Sequence, residues 1–150
     1  MKSAFLSAVL FLFIISANAQ NAEDSVKASV NQLFEGMKNV DPELIRNSFA
    51  DSAVLQTIVR SQDGKVTIKN ESVAAFASSI SKQTRGALDE QIQFESVKID
   101  GDLASVWTPY KFYFSGKLSH CGVNSFQLVR TKGVWKIQYL IDTRRRTGCE

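Results

Sequence analysis

A single histidine and an acidic residue near the C-terminus are the side chains best suited by type to move protons. His120 is the only histidine of the chain, and an imidazole titrates close to neutral pH. Antiparallel pairing of the two strands that flank the turn at 131–133 places Gly122 opposite Asp142. The same register places His120 opposite Arg144. We therefore predict that these side chains meet at one end of a sheet, where His120 and Asp142 could act as general acid and base.

Other roles are open for this corner of the chain. His120 could be structural, bonded to the backbone or to Asp142, or it could contact a ligand. The arginines that follow, Arg144–Arg146, could hold an anionic ligand, because guanidinium groups bind carboxylate or phosphate through paired hydrogen bonds. The alternative is a solvated tail in which Asp142 pairs with one arginine.

Aromatic side chains are concentrated on one predicted strand and its neighbours. Such side chains can stack on a flat ligand ring, although most of them must belong to the core of a covered sheet. Trp107 and Tyr110 are the expected exceptions, because Thr108 and Pro109 interrupt the apolar run there. The predicted ligand contacts are Trp107, Tyr110, His120, Asn124, Asp142 and Arg144.

A further arrangement would place a carboxylate base inside the fold with a separate hydroxyl donor for a developing oxyanion. Asp41 or Asp51 could supply the base, and Tyr110 could supply the donor. Each of the two acids is equally well explained as a helix cap or a turn residue. Both interpretations stay open at the level of sequence.

Two cysteines, Cys121 and Cys149, lie late in the chain. An exported protein with two cysteines can pair them in an oxidising compartment, and we predict this disulfide. A zinc site is a poor alternative, because one histidine and two distant cysteines lack the close ligand spacing of such sites. We predict no metal and no cofactor.

The N-terminal segment predicts export. Lys2 is followed by an apolar stretch over 4–15 and then by small residues up to Ala19, which is the pattern of a secretory signal peptide cleaved after that alanine. The apolar run is shorter than the ~20 residues of a membrane span, so no membrane anchor is expected after cleavage. The predicted division is a signal peptide at 1–19 and a single soluble domain at 20–150.

Charge argues against one class of partner. The chain carries a formal net charge of +3, and its basic residues are spread along the sequence except at Arg144–Arg146. A nucleic-acid-binding surface normally needs a concentrated basic face. We therefore expect no nucleic-acid partner.

The periodicity of the chain predicts three helices and then a run of strands. The predicted elements are helix 22–39, a short helix after Asp41-Pro42, a hairpin of 53–60 with 66–68, helix 71–81, and strands 91–99, 103–114, 119–130 and 134–142. Asp41 and Asn70 are expected to cap the second and third helices. The short turns between the last strands force antiparallel pairing.

This order of elements predicts an α+β fold. A long twisted sheet has two faces, and three helices cannot cover both. A mixed, mainly antiparallel sheet of about six strands is therefore expected to curve strongly around the long first helix and to leave a pocket at its open end.

Several segments resemble one known superfamily. They are Leu103–Tyr110, His120–Leu128, Gly133–Ile137 and Asp142–Arg145. With the order of elements, they resemble the nuclear transport factor 2-like (NTF2-like) superfamily. Within it, the most similar group is the bacterial exported group named "putative lumazine-binding", with a SnoaL-like cone. The superfamily includes isomerases, dehydratases, polyketide cyclases, transport adaptors and ligand binders, so the resemblance implies a fold and leaves the activity open.

These observations favour an exported domain that binds a small aromatic or anionic molecule in the cone of the sheet. Its location would be periplasmic or extracellular, and bacterial by the resemblance. The alternative is a small-molecule lyase or isomerase that uses His120 with Asp142. The resemblance also implies a homodimer through the outer face of the sheet.

Overall fold

The computed structural model describes residues 22–61 and 63–149. The predicted signal peptide at 1–19 lies outside these residues. Within the described part, no helix combines the length and the apolar character that a membrane crossing requires.

Three helices occur among the described residues. Helix α1 covers 22–39, α2 covers Pro42–Ser48 and α3 covers Val73–Ile80. The apolar stripe of α1 is buried as its helical spacing predicts, with Val26, Val30 and Leu33 almost fully covered. Helix α2 begins as predicted, because the Asp41 carboxylate accepts hydrogen bonds from the backbone N–H groups of Glu43 and Leu44.

The predicted cap of α3 is wrong by two residues. Ser72 is the N-cap, and its hydroxyl accepts a hydrogen bond from the backbone N–H of Ala75 at 3.1 Å. Asn70 instead belongs to a strand, and its side chain accepts a hydrogen bond from Gln56 on the neighbouring strand. Strand pairing continues to Glu71, so the helix begins later than the sequence suggests.

The described residues contain seven strands, which form one sheet. They are β1 Phe49–Arg60, β2 Val66–Glu71, β3 Leu88–Ile92, β4 Ser96–Asp100, β5 Leu103–Phe114, β6 Lys117–Thr131 and β7 Val134–Thr143. The spatial order is β2-β1-β7-β6-β5-β3, and β4 also pairs with β5. The β1–β7 pair is parallel and the other pairs are antiparallel. The predicted α+β class and mixed, mainly antiparallel sheet are confirmed.

The single strand predicted at 91–99 is two strands, which accounts for the count of seven. Both β3 and β4 pair with β5, but their registers differ by one residue. The backbone N–H of Gln93 donates to the carbonyl of Pro109. Pro109 has no N–H to donate in return, so the regular ladder is interrupted opposite it and one extra residue is accommodated.

The predicted register between β6 and β7 is also wrong, by two residues. Asn124, not Gly122, lies opposite Asp142. The turn contains only Lys132 and Gly133, both with positive φ, and a bulge follows between Gln127 and Leu128. Each feature shifts the register by one residue, and two such shifts return every side chain to its predicted face.

The apolar core lies between α1 and the inner face of the sheet. Phe34 of α1 meets Phe126 of β6 edge to face, with ring centroids 6.2 Å apart. Buried side chains from α2, α3 and the central strands complete the same cluster. The inner face becomes polar where β1 and β7 end, and this region holds the predicted site.

Candidate functional site

A layer of polar side chains crosses the inner face of four neighbouring strands. In spatial order they are Thr57 of β1, Asp142 of β7, Asn124 of β6 and Thr108 of β5. Asn124 is 4% exposed, Asp142 7% and Thr108 0%. Burying such groups costs free energy unless they are hydrogen-bonded. The hydroxyl of Thr108 has no hydrogen-bond partner among the described residues, so the layer retains an unused polar group.

Asp142 is the centre of this layer. One carboxylate oxygen accepts a hydrogen bond from the Thr57 hydroxyl at 2.6 Å, and the other accepts from Nε of Arg144 at 2.7 Å. The Tyr110 hydroxyl lies 3.5 Å from that second oxygen and donates to the backbone carbonyl of Thr143 at 2.9 Å. Both oxygens of Asp142 are therefore engaged, and the residue anchors Arg144.

Gly122 makes the contact of Tyr110 with β7 geometrically possible. It lies on β6, directly between Tyr110 of β5 and the end of β7. A Cβ atom at this position would overlap the carbonyl oxygen of Thr143 and would lie 2.8 Å from the Tyr110 ring. Only glycine lets the phenol pass over the central strand.

Glu90 of β3 joins the layer from the other side, and it is not among the site residues predicted from the sequence. The Asn124 amide donates a hydrogen bond to Oε1 of Glu90 at 2.8 Å. Burial raises the pKa of Glu90 to about 7; the hydrogen bond from Asn124 opposes this rise, and the charge of Asp142 adds to it. Both protonation states of this carboxyl are accessible near neutral pH.

A sequence signal for Glu90 did exist. Leu88, Glu90 and Ile92 alternate along β3, and their side chains share one face. Since Leu88 and Ile92 are apolar and point inward, the acid between them must also point inward. The strand predicted at 91–99 starts one residue after Glu90, so it does not include this alternation.

His120 lies at the open end of the inner face, beside the polar layer. Its ring centroid is 4.9 Å from that of Phe112 and 5.7 Å from that of Tyr110. Burial lowers the pKa of His120, and the positive charge of Arg144 lowers it further, so both favour the neutral imidazole. Between the described side chains of His120 and Asp142 there is no hydrogen bond. The structure thus brings the two residues to one end of the sheet without joining them.

The C-terminal tail, residues 144–149, is bound to the start of β6. Cys121 and Cys149 form the predicted disulfide. The backbones of Cys121 and Arg145 exchange two hydrogen bonds, at 2.9 and 2.8 Å. These contacts hold the arginines of the tail beside His120.

The tail closes one side of a cavity of about 640 Å³, which we call the basic cavity. Its lining residues are Val59, Arg60, Ser61, Ser119, His120, Arg144, Arg145 and Arg146. Among the described residues that line it, four are arginines and none carries a carboxylate. A concave space of this size can hold a small molecule.

A smaller cavity of about 220 Å³ opens on the opposite side of the polar layer, between α1 and β3. Glu90 lines it, together with Phe34 and Glu35 of α1. Glu90 therefore faces an open space, while Asn124 connects it to the layer that ends at the basic cavity.

The remaining candidates from the sequence lie elsewhere. Trp107 lies on the outer face of β5 and is 46% exposed. Tyr110, three positions further along the strand, points to the inner face. Asp41 caps α2 at the surface, and Asp51 is exposed on β1. The described residues contain no group of three or more side chains that could hold a metal ion.

No family model matches the chain, and no curated protein matches its sequence. Solved structures do match its fold. An NTF2-like protein of unknown function from Shewanella baltica is similar with a TM-score of 0.68 at 16% identity, over 85% of this chain and 96% of that chain. The chain has the NTF2-like fold. A second NTF2-like protein of unknown function, from Silicibacter pomeroyi, gives a TM-score of 0.64 at 15% identity, over 85% of this chain and 98% of that one.

A third similar structure, also from the NTF2-like family, carries a functional name. It is a "putative dehydratase" from Streptomyces avermitilis, with a TM-score of 0.60 at 15% identity, over 86% of this chain and 99% of that chain. At such identities the likeness concerns the NTF2-like fold, and activity must be argued from the site. Membership of the "putative lumazine-binding" group stays a prediction.

Proposed function

We propose that this NTF2-like domain binds a small anionic molecule in the basic cavity. The observation that carries the proposal is the lining of that cavity by four arginines and the half-buried imidazole of His120. Guanidinium groups bind carboxylate, sulfate or phosphate oxygens through paired, charge-assisted hydrogen bonds. The flat imidazole adds a surface on which an aromatic ligand can stack.

Two of the arginines are held in place before any ligand arrives. Arg144 donates through Nε to Asp142 and through Nη2 to the Thr57 hydroxyl at 3.2 Å. Arg145 is positioned by its backbone pairing with Cys121. Groups that are already ordered lose less conformational entropy on binding, so their contacts contribute more to affinity.

The alternative activity, a lyase or isomerase using His120 with Asp142, has less support. Asp142 already accepts hydrogen bonds on both oxygens, and the hydrogen bond that His120 makes is with Ser119. A general base must reach the proton that it removes. Asp142 in this arrangement orients Arg144 instead.

The anion proposal predicts that charge inside the cavity controls affinity. Benzenedisulfonate, an aromatic dianion, is a suitable probe for titration calorimetry of residues 20–150. Arg146→Gln is expected to weaken binding about tenfold, which corresponds to the loss of one charged hydrogen bond. The matched control is Lys98→Gln, which removes the same charge from an exposed position on strand β4 and should leave the affinity unchanged. Equal losses in both variants, or no binding by the wild type, would contradict the proposal.

We also propose that the protein is exported and cleaved after Ala19. The disulfide between Cys121 and Cys149 supports this, because such bonds persist in oxidising compartments. The intact mass of the mature protein is expected to match a chain that starts at Gln20 and lacks the two thiol hydrogens. A mass that includes the first residues, or two free thiols under non-reducing conditions, argues against export.

The predicted homodimer remains part of the proposal. Trp107 gives the outer face of the sheet a large, half-exposed aromatic side chain, and aromatic side chains are enriched at the centres of protein interfaces. The outer face lies opposite the basic cavity, so dimerisation there would leave the ligand site open.

A further inference from the structure

We infer that the domain takes up its anion together with a proton on Glu90, so that it holds the ligand in mildly acidic surroundings and releases it as the pH rises. This inference rests on the proposed function and concerns the control of the same site. It follows from the way in which Glu90 is connected to the basic cavity.

The connection runs through side chains of the polar layer. Glu90 accepts a hydrogen bond from Asn124 at 2.8 Å, and Asn124 lies directly opposite Asp142 in the β6–β7 pair. The Asp142 carboxylate lies 2.7 Å from Nε of Arg144, and Arg144 lines the basic cavity. A negative charge bound at Arg144 therefore affects the pKa of Glu90. The cluster between them is mostly buried, and electrostatic interactions there are stronger than in water.

The charges within this cluster do not balance when Glu90 is ionised. Glu90 and Asp142 then carry two negative charges, against the one positive charge of Arg144. Protonation of Glu90 restores the balance. An anionic ligand on Arg144 adds further negative charge, so the bound state favours the protonated carboxyl more strongly than the empty state does.

The charged groups of α1 and β3 that surround Glu90 do not reverse the effect of a bound anion on its protonation. Lys38 of α1 pairs with Asp89 of β3 at 2.8 Å, and this bond keeps the pKa of Asp89 below its usual value. Glu35 of α1 lines the same small cavity as Glu90. Its negative charge also favours a proton on Glu90.

Two titratable side chains of β5 and β6, Tyr110 and His120, lie beside this cluster. Burial raises the pKa of Tyr110 far above neutrality, and burial together with the charge of Arg144 lowers that of His120. The pKa of Glu90 itself is raised by burial to about 7. By linkage, a ligand that raises this pKa must bind more tightly when the carboxyl is already protonated.

Calorimetry with benzenedisulfonate tests the inference, because the charge of this probe does not change near neutral pH. Between about pH 6.5 and about pH 8.5 the wild-type affinity is expected to fall roughly sixfold, which is most of the roughly tenfold change that one unit of pKa coupling gives over the whole titration. Titrations in buffers of different ionisation enthalpy should show net proton uptake on binding. Glu90→Gln keeps an oxygen that can accept from Asn124 but cannot titrate, so its affinity should be independent of pH and its proton uptake zero.

The control is His120→Gln, which removes the imidazole from the lining of the basic cavity. This variant is expected to bind more weakly at every pH but to keep the pH dependence. A pH dependence that survives in Glu90→Gln, or a flat profile in the wild type, would overturn the inference while leaving anion binding intact. Absence of binding at every pH would instead overturn the proposed function, and the inference with it.

A second measurement needs no variant. The carboxyl carbon of Glu90 can be titrated by NMR in the wild-type protein, with and without saturating benzenedisulfonate. The midpoint is expected near neutrality without the probe and about one unit higher with it. An unchanged midpoint would refute the coupling.

Discussion

Substitution of Cys149 by serine is expected to lower the free energy of unfolding by about 3–4 kcal/mol. The disulfide joins residues 28 positions apart, and a cross-link of that length removes much conformational freedom from the unfolded chain. Urea denaturation under non-reducing conditions measures the difference. The wild type with added reductant should show the same loss, because Cys121 then has no partner.

The control for this variant is Thr147→Ser, which changes the same exposed tail and keeps the disulfide. Its midpoint of urea denaturation should equal that of the wild type. If the reduced wild-type protein were as stable as the oxidised one, the disulfide would have no role in stability. The tail and its arginines would then have to be held by the backbone pairing of Arg145 alone.

Substitution of Asp142 by alanine is expected to cost about 3 kcal/mol, the lower part of the range for breaking a buried ion pair. The variant removes the acceptor of both the Thr57 hydroxyl and the Arg144 guanidinium. Arg144 is half exposed, so water can recover part of its solvation, which keeps the cost from being larger. Asp142→Asn should cost less, since it keeps the shape and one acceptor oxygen.

A matched pair for this experiment exists on the protein surface. Nε of Arg130 binds Asp102 at 2.8 Å, but Asp102 is 71% exposed. Asp102→Ala should therefore cost under about 1 kcal/mol, because exposed ion pairs contribute little. Urea denaturation of both variants separates the effect of burial from that of the ion pair itself. Equal costs would show that the polar layer does not depend on Asp142.

The features that were predicted from sequence are those with a local cause. The spacing of Val26, Val30 and Leu33 dictates which face of α1 is buried, and Asp41 caps α2 because its carboxylate reaches backbone N–H groups two and three residues ahead. The turns between the last strands are short enough to impose antiparallel pairing. These features form without contacts between residues that are distant in sequence.

The site depends on strand register, which local patterns do not determine. Asp142 is predicted opposite Gly122 and lies opposite Asn124, because a turn one residue shorter than predicted and one bulge each shift the register by one residue. The interruption opposite Pro109 separates β3 from β4. The inward position of Glu90 is not predicted for a different reason, since the strand predicted at 91–99 starts one residue after it. Irregularities of a single residue thus decide which polar groups meet inside the sheet.

The parallel pairing of β1 with β7 has a consequence for the time at which the chain can fold. Phe49 pairs with Ile137, and Thr57 pairs with Asp142, so Thr57 of the first strand needs a partner that is synthesised 85 residues later. Contacts between residues so distant in sequence form slowly. A nascent chain cannot close its sheet until the C-terminal strand has left the ribosome. This delay would keep the precursor in the unfolded state that a secretory channel accepts, which suits the export that we propose.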